Sequence, residues 1–184
     1  MLERLAVIVP VGPGDAAWRG LLSQLHWLPR GAQLRLVACH ESDVDHGALA
    51  GDEALPADRA WQLAARGRAR QLNAGVRATH APFLWFLHAD SRFERPQHTA
   101  AALQRALAED PDALGFFDLR FLADGPAAMA LNTFGAWMRS RWLGLPFGDQ
   151  GLFMSRDGLH RLGGFDETLP AAEDHALVWA ARRA

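Results

Sequence analysis

Apolar and polar residues fall in short blocks along this chain, and the period of the pattern changes from block to block. Leu5-Ala6-Val7-Ile8-Val9 is a compact apolar run ended by Pro10 and the Gly12-Pro13-Gly14 turn, which predicts a strand over residues 5–10. Asp15 is placed to cap the next helix, whose inner face carries Leu21, Leu22 and Leu25. Gln33 to Cys39 reads as a second strand, and residues 40–56, rich in Asp and Gly, as loop with one short turn. Arg66 to Thr79 reads as helix opening at Gly67, with Leu72 and Val76 turned inward. Phe83 to His88 is the next strand, and Pro96 starts a helix that runs to Ala108 before Asp110-Pro111-Asp112 breaks it. In residues 113–122, Phe117, Leu119 and Phe121 alternate with Asp118 and Arg120, as in a half-exposed strand. Residues 127–143 read as a helix carrying Phe134, Trp137, Met138 and Trp142. A short strand over 151–154, a short helix capped by Asp157 and ended by Gly163-Gly164, and a helix from Glu173 to Arg183 complete the pattern.

Strands alternating with helices predict an α/β three-layer sandwich, with residues 5–10, 34–39 and 83–88 as neighbours in one mostly parallel central sheet. No repeat, low-complexity segment or linker interrupts the pattern, so residues 1–184 read as a single domain.

Composition narrows the function classes. A net charge of -2 argues against a nucleic-acid footprint or a polybasic membrane patch. All the Lys and Arg residues are arginine, to which little functional weight is given. The one cysteine, Cys39, excludes an internal disulfide and fits a reducing compartment. No signal-peptide pattern opens the chain, and no apolar run approaches the ~20 residues a membrane-spanning helix needs. The expectation is a cytoplasmic protein without a transmembrane segment; peripheral membrane contact and oligomeric state stay open. Because the helical pattern continues to the last residue, the reading also expects a tail that is missing or unusually short.

The chemistry concentrates in four polar clusters. His88-Ala89-Asp90-Ser91 follows an apolar strand, and in open α/β sheets ligands bind beyond the carboxyl ends of strands. Asp90 is therefore either a ligand for Mg²⁺ or Mn²⁺ carried with substrate phosphates, or a turn cap with Ser91; His88 reads better as a packed strand-end histidine. Glu173-Asp174 is either an ordinary acidic first turn or the source of a general base. Arg66, Arg68 and Arg70 cluster at a helix start, where guanidinium forks and the helix N-terminus both suit phosphate, or else they form a solvated face; Asn73 and Gly75 have no obvious core role there. Gly148-Asp149-Gln150 is either a tight turn or a loop presenting an amide and a carboxylate to sugar hydroxyls.

Taken in order, these segments resemble family 2 glycosyltransferases of the GT-A fold, and among them the arsenosugar-biosynthesis-type subgroup. The resemblance is carried by Gly67-Arg68-Ala69-Arg70-Gln71-Leu72-Asn73-Ala74-Gly75, Phe86-Leu87-His88-Ala89-Asp90-Ser91, and Leu145-Pro146-Phe147-Gly148-Asp149-Gln150-Gly151-Leu152-Phe153. Leu162-Gly163-Gly164-Phe165-Asp166 and Glu173-Asp174 follow in the same order. The resemblance implies a nucleotide-sugar donor, a hydroxyl acceptor and a divalent metal, Mg²⁺ or Mn²⁺. It makes Asp90 the last carboxylate of a DxD-like motif and metal ligand, with His88 at the motif's first position, as in that subgroup. It places Arg66, Arg68, Arg70 and Asn73 near the donor and Gly148, Asp149 and Gln150 on the acceptor side. It takes the base from Glu173-Asp174, with Asp174 the first choice. The departures are N-terminal: Val11-Gly12-Pro13-Gly14-Asp15 and Cys39-His40-Glu41-Ser42-Asp43 stand where the family has more typical nucleotide-binding segments.

The implied reaction is inverting transfer, in which Asp174 accepts the proton of the attacking hydroxyl, the metal offsets charge on the leaving diphosphate, and the transition state resembles an oxocarbenium ion. The competing readings are a catalytically weak or inactive nucleotide-sugar-binding protein of the same fold and, far behind, a metal hydrolase built on His88, Asp90, Asp174 and His175.

Overall fold

The computed structural model describes residues 1–118 and 148–184. Five strands form one sheet: β1 (Leu5–Val11), β2 (Gln33–Ala38), β3 (Asp58–Leu63), β4 (Phe83–Phe86) and β5 (Phe153–Ser155). Their spatial order is β3-β2-β1-β4-β5. The pairings β1–β2, β2–β3 and β1–β4 are parallel, and β4–β5 is antiparallel. The expected neighbourhood of the first, second and fourth strands is therefore present, with β1 at its centre. The chain leaves β1 in one direction through β2 and β3, then returns to place β4 on the other side. That reversal opens a crevice between the carboxyl ends of β1 and β4, where ligands of open α/β sheets bind.

Helices cover both faces because alternate residues of the central strands point opposite ways. Leu5, Val7, Val9 and Val11 of β1 face one cluster with Leu34, Leu36 and Trp85. That cluster takes in Trp18, Leu21 and Leu22 of α1 (Trp18–Gln24) and Leu103 and Leu107 of α4 (Pro96–Glu109). Ala6 and Ile8 face the other cluster, against Ala69, Leu72 and Ala74 of α3 (Arg68–Arg77). Leu159 of α5 (Arg156–Arg161) and Leu177 of α6 (Glu173–Arg183) complete that layer. A small helix, α2 (His46–Ala50), is capped by Asp45 and precedes β3.

Several boundaries differ from those the sequence predicts. β3 has no apolar signature: residues 58–62 are half-buried, Leu63 is exposed, and the strand lies at the sheet edge, where charged side chains are tolerated and protect against further pairing. Ordered strand pairing in β4 stops at Phe86, although Leu87 N–H still donates to Ile8 O at 3.0 Å. α1 starts at Trp18 instead of beside Asp15, whose carboxylate accepts from Ala17 N–H at 2.8 Å in the preceding turn. Ser155, not Asp157, caps α5, accepting from Gly158 N–H at 2.8 Å. Of the extended segment expected over 113–122, residues 113–118 carry an isolated β-bridge, Gly115 to Phe153, in place of a strand. The remainder of that segment, the expected helix over 127–143 and the motif residues up to Phe147 lie outside the described residues.

α3 lies directly on the sheet at Gly75. A Cβ at this position would come within 2.4 Å of Ile8 Cγ2 and 3.1 Å of Val37 Cγ2. The gain in helix propensity of about 1 kcal/mol from Gly75→Ala is therefore outweighed by overpacking, which typically costs ~1–3 kcal/mol. Gly75→Ala is expected to unfold at lower urea concentration than the parent; an equal or higher midpoint would show that the helix seats less closely than the structure has it.

Candidate active site

The crevice between β1 and β4 is where the polar clusters of the sequence converge. Beyond β4, His88 N–H donates to Ser91 Oγ at 3.1 Å and Ser91 N–H to His88 O at 3.1 Å. This self-bonded turn leaves Asp90 exposed, so its carboxylate is not consumed by the cap that the plainer reading assigned to it.

Two helix starts meet beside that turn. Arg68 at the start of α3 pairs through Nε with Glu173 Oε1 at the start of α6, at 2.9 Å. Glu173 is only 4% exposed. Arg68 Nη1 also lies 3.4 Å from His88 Nδ1, which accepts in the tautomer protonated on Nε2. Glu173 is thus an anchor, while its neighbour Asp174 stays half-buried and faces elsewhere. Asp174 Oδ2 accepts from Gly148 N–H at 2.5 Å, and Oδ1 from His175 N–H at 2.8 Å. A Cβ at residue 148 would fall 2.8 Å from Asp174 Oδ2 and 3.1 Å from Asp174 Cβ, so any side chain there displaces the carboxylate. Ala172, just before the pair, has φ 66, the single non-glycine residue with positive φ among those described. Such a conformation costs an alanine about 1–2 kcal/mol and is held only by its surroundings.

The turn that carries Gly148 is itself braced. Residues Gly148–Gln150 form one 3₁₀ turn, and Gln150 clasps the 117 segment by donating Nε2 to Phe117 O at 2.9 Å while its carbonyl accepts from Phe117 N–H at 2.8 Å. Trp85, fully buried in β4, donates its indole N–H to Gly151 O at 3.1 Å. Trp85 also packs on Trp27, Phe93 and Phe117 at centroid distances of 5.4–5.9 Å. Asp149 lies in the same turn, and its Oδ1 is shielded from solvent with no hydrogen-bond partner among the described residues.

Electrostatics tie these groups into one site. Burial lowers the Arg68 pKa, and the carboxylates of Glu173, Asp174, Asp149 and Asp90 push it back up. Burial, then the Arg68 charge, holds the His88 imidazole down at about 4, against the opposing pull of Asp90, Asp174 and Asp15. His88 is therefore a neutral member of the site at neutral pH. Burial raises the Asp149 carboxyl, helped by the charges of Asp174 and Asp90 and opposed by its own backbone N–H and by Arg68.

Other expected site residues are placed differently. Arg66 and Arg70 are exposed and line clefts that include none of His88, Asp90, Asp149 or Asp174. Asn73 holds the chain together: its Nδ2 donates to Phe165 O at 2.8 Å and to Glu167 Oε1 at 2.9 Å, and its Oδ1 accepts from Phe165 N–H at 3.1 Å. Asp43 Oδ1 accepts from Gly14 N–H at 2.9 Å, tying together the loops after β1 and β2. Sequence reasoning gives no role to Trp85, Ala172 or Asp15 in the site. An aromatic in a strand reads as core, and nothing local marks an alanine for a left-handed conformation.

The sequence matches no protein-family model, and no curated protein matches it. Solved structures do match. The mannosyltransferase PcManGT from Pyrobaculum calidifontis, solved with GDP-Man and Mn²⁺, superposes with a TM-score of 0.68 at 21% identity, covering 94% of this chain and 50% of that one. TarS from S. aureus in complex with UDP-GlcNAc gives a TM-score of 0.66 at 17% identity, covering 96% and 52%. Mannosyl-3-phosphoglycerate synthase from Rubrobacter xylanophilus gives 0.51 at 17%, covering 85% and 57%. This chain thus spans about half the length of these proteins, and what it shares with them is the fold: the mostly parallel α/β sandwich of GT-A glycosyltransferases.

The His88 environment has a consequence for stability. Its folded pKa of about 4 lies below the 6.5 of an unperturbed histidine. As pH falls through that window, the unfolded chain takes up a proton that the folded chain refuses, so stability drops. Metal-free protein is expected to melt at a lower temperature at pH 5 than at pH 7, and His88→Gln to narrow that gap. An undiminished gap in the variant would place the acid sensitivity elsewhere.

Proposed function

We propose that this protein transfers a sugar from a nucleotide-diphosphate donor to an acceptor hydroxyl, with inversion at the anomeric carbon. The observation that carries the reading is the convergence of Arg68, His88, Asp90, Asp149 and Asp174 at the sheet's switch point, on a fold shared with proteins solved with GDP-Man or UDP-GlcNAc. Such a site separates into two halves. Arg68 and Asp90 face the donor diphosphate. Asp174, aimed by Gly148 N–H, faces the acceptor as the general base that takes the hydroxyl proton during attack. Asp149, with an unpartnered buried oxygen, and the Gly148 turn contact the acceptor, while buried Gln150 supports them.

Glu173 is the weaker candidate for the base, because its carboxylate is buried against Arg68. Its role is positioning: it holds the guanidinium between the two halves.

A divalent cation, such as the Mn²⁺ found with PcManGT, is compatible with the residues present. Among the described residues no three His, Cys, Asp or Glu side chains cluster closely enough to cage a metal. An all-oxygen set led by the exposed Asp90 instead suits Mg²⁺ or Mn²⁺ that keeps waters and substrate phosphates as its other ligands. When bound there, the ion offsets the charge that develops on the departing diphosphate. The chain's own residues do the rest: Arg68 faces the phosphates, His88 stays uncharged beside it, and Asp174 takes the proton. No helix among the described residues is long and apolar enough to cross a membrane.

Transfer assays with nucleotide-sugar donors, with donor binding measured in parallel, test the assignment. Asp174→Asn is expected to lower turnover by ~10²–10⁴-fold while leaving donor affinity nearly unchanged. Glu173→Gln is expected to lower melting temperature as well as activity, since it unbalances a buried ion pair. Asp90→Asn is expected to abolish metal-dependent diphosphate binding without unfolding the protein. Near-parental turnover in Asp174→Asn would remove the base assignment. Donor binding without turnover in the parent would favour the binding-protein alternative.

A further inference from the structure

α3 meets the chain that leads to Asp174 at two places. At its start, Arg68 pairs with Glu173 at 2.9 Å. Further along, Asn73 clasps Phe165 and Glu167 with the three hydrogen bonds described above. Gly164 permits that approach: its φ is 78, and a Cβ there would lie 3.2 Å from Asn73 Oδ1. Arg77, one turn on, stands 3.6 Å from the same Glu167 carboxylate. α3 is itself seated on the sheet at Gly75, so both ends of the segment 165–173 are tied to one rigid element.

Between those ties the segment has little to hold it. Thr168 closes a local turn, donating its N–H and Oγ1 to Asp166 Oδ1 at 2.9 and 2.6 Å. Leu169 to Ala172 are exposed, and neither core cluster of the described residues includes them. Yet Ala172 is left-handed, with φ 66 and ψ 28. An alanine stays in that conformation only where the chain around it over-determines its path. Downstream, Glu173 is held by Arg68 and Asp174 by Gly148 N–H. Upstream, among the described residues, the nearest hydrogen bond to another element is the Asn73 clasp.

We propose that Asn73 is a positioning residue for Asp174: by pinning Phe165 and Glu167 to α3 it keeps Ala172 left-handed, and with it the direction in which Asp174 leaves the start of α6. Without the clasp, the exposed chain before Ala172 is free to move and the alanine relaxes to an ordinary backbone conformation. The first turn of α6 then rotates, and Asp174 loses its alignment with Gly148 N–H. That Asp174 acts as the base rests on the glycosyl-transfer reading; that Asn73 sets its placement does not.

Urea unfolding of the parent, Asn73→Ala, Ala172→Gly and the double variant tests this without any substrate. Glycine carries no penalty in the left-handed region, so Ala172→Gly is expected to lower the unfolding equilibrium constant of the parent by roughly two- to fivefold. In the Asn73→Ala background the strain is already gone, and the same change is expected to give no stabilisation. A role confined to local stability would instead make the two effects additive. Asn73→Asp keeps the shape and the acceptor for Phe165 N–H but loses both donated bonds, so it repeats the cycle without leaving a cavity. Amide exchange followed by NMR gives a second readout. In both Asn73 variants the Gly148 and His175 amides, which bond Asp174, are expected to exchange at least about tenfold faster, as opening of that local contact implies. The Phe117 amide, bonded to Gln150 O, is expected to keep its rate. In transfer assays the variants are expected to lose turnover by about 10–100-fold at nearly unchanged donor affinity, as misplacement of a reacting group implies. Additive unfolding energies, parental exchange at Gly148 and His175, or full turnover in Asn73→Ala would each overturn the proposal. A parent that transfers no sugar would sink the glycosyl-transfer reading, while the unfolding cycle and the exchange rates still decide the role of Asn73.

Discussion

The pairing of Arg68 with Glu173 is the contact on which the geometry of the candidate site depends. A guanidinium at the first turn of a helix opposes the helix dipole and, when buried, loses hydration. Arg68 occupies that position at the start of α3. Glu173 stands at the first turn of α6, where a carboxylate is favoured. Joining them offsets the misfit of one with the preference of the other and locks two helix starts together. Those helices come from distant parts of the sequence, and the lock fixes what lies beside each: His88 against the guanidinium and Asp174 next to the anchored carboxylate.

A second layer of support comes from below. Trp85 belongs to a central strand and to an aromatic cluster, yet its indole N–H reaches the turn after Gln150. Buried indole donors need a partner, and here the partner is the segment that presents Gly148 and Asp149. Packing under the sheet and the direction of polar groups above it are therefore coupled through one side chain. The left-handed Ala172 adds a local strain at the entrance to α6, maintained by the contacts of the residues that follow it.

Much of the architecture was legible in the sequence because buried parallel strands and amphipathic helices have strong periods. β1, β2, β4, α3, α4 and α6 all fall close to where the pattern places them. β3 was not legible, because an edge strand that carries Asp58, Arg59 and Gln62 has no apolar signal. The caps were misassigned by a few residues because Asp15 and Asp157 look like caps in sequence, and only the three-dimensional path shows which N–H they meet. The polar clusters could be named from sequence, but their division of labour could not. Nothing in Glu173-Asp174 says which carboxylate is buried against Arg68, and nothing in Arg66-Gly67-Arg68-Ala69-Arg70 says that the middle arginine turns towards the crevice while its neighbours line another groove.

The hydrogen bond that aims Asp174 comes from the main chain of Gly148. A backbone donor is common to every residue type but proline, so ordinary substitution at 148 leaves the chemistry of the donor in place. What it alters is room: the smallest side chain already collides with the carboxylate it is meant to serve. The position is thus indifferent to polarity and intolerant of volume. Drift or library selection at this point should read as a size filter, in which even alanine makes the Asp174 carboxylate shift, although the group that matters belongs to no side chain.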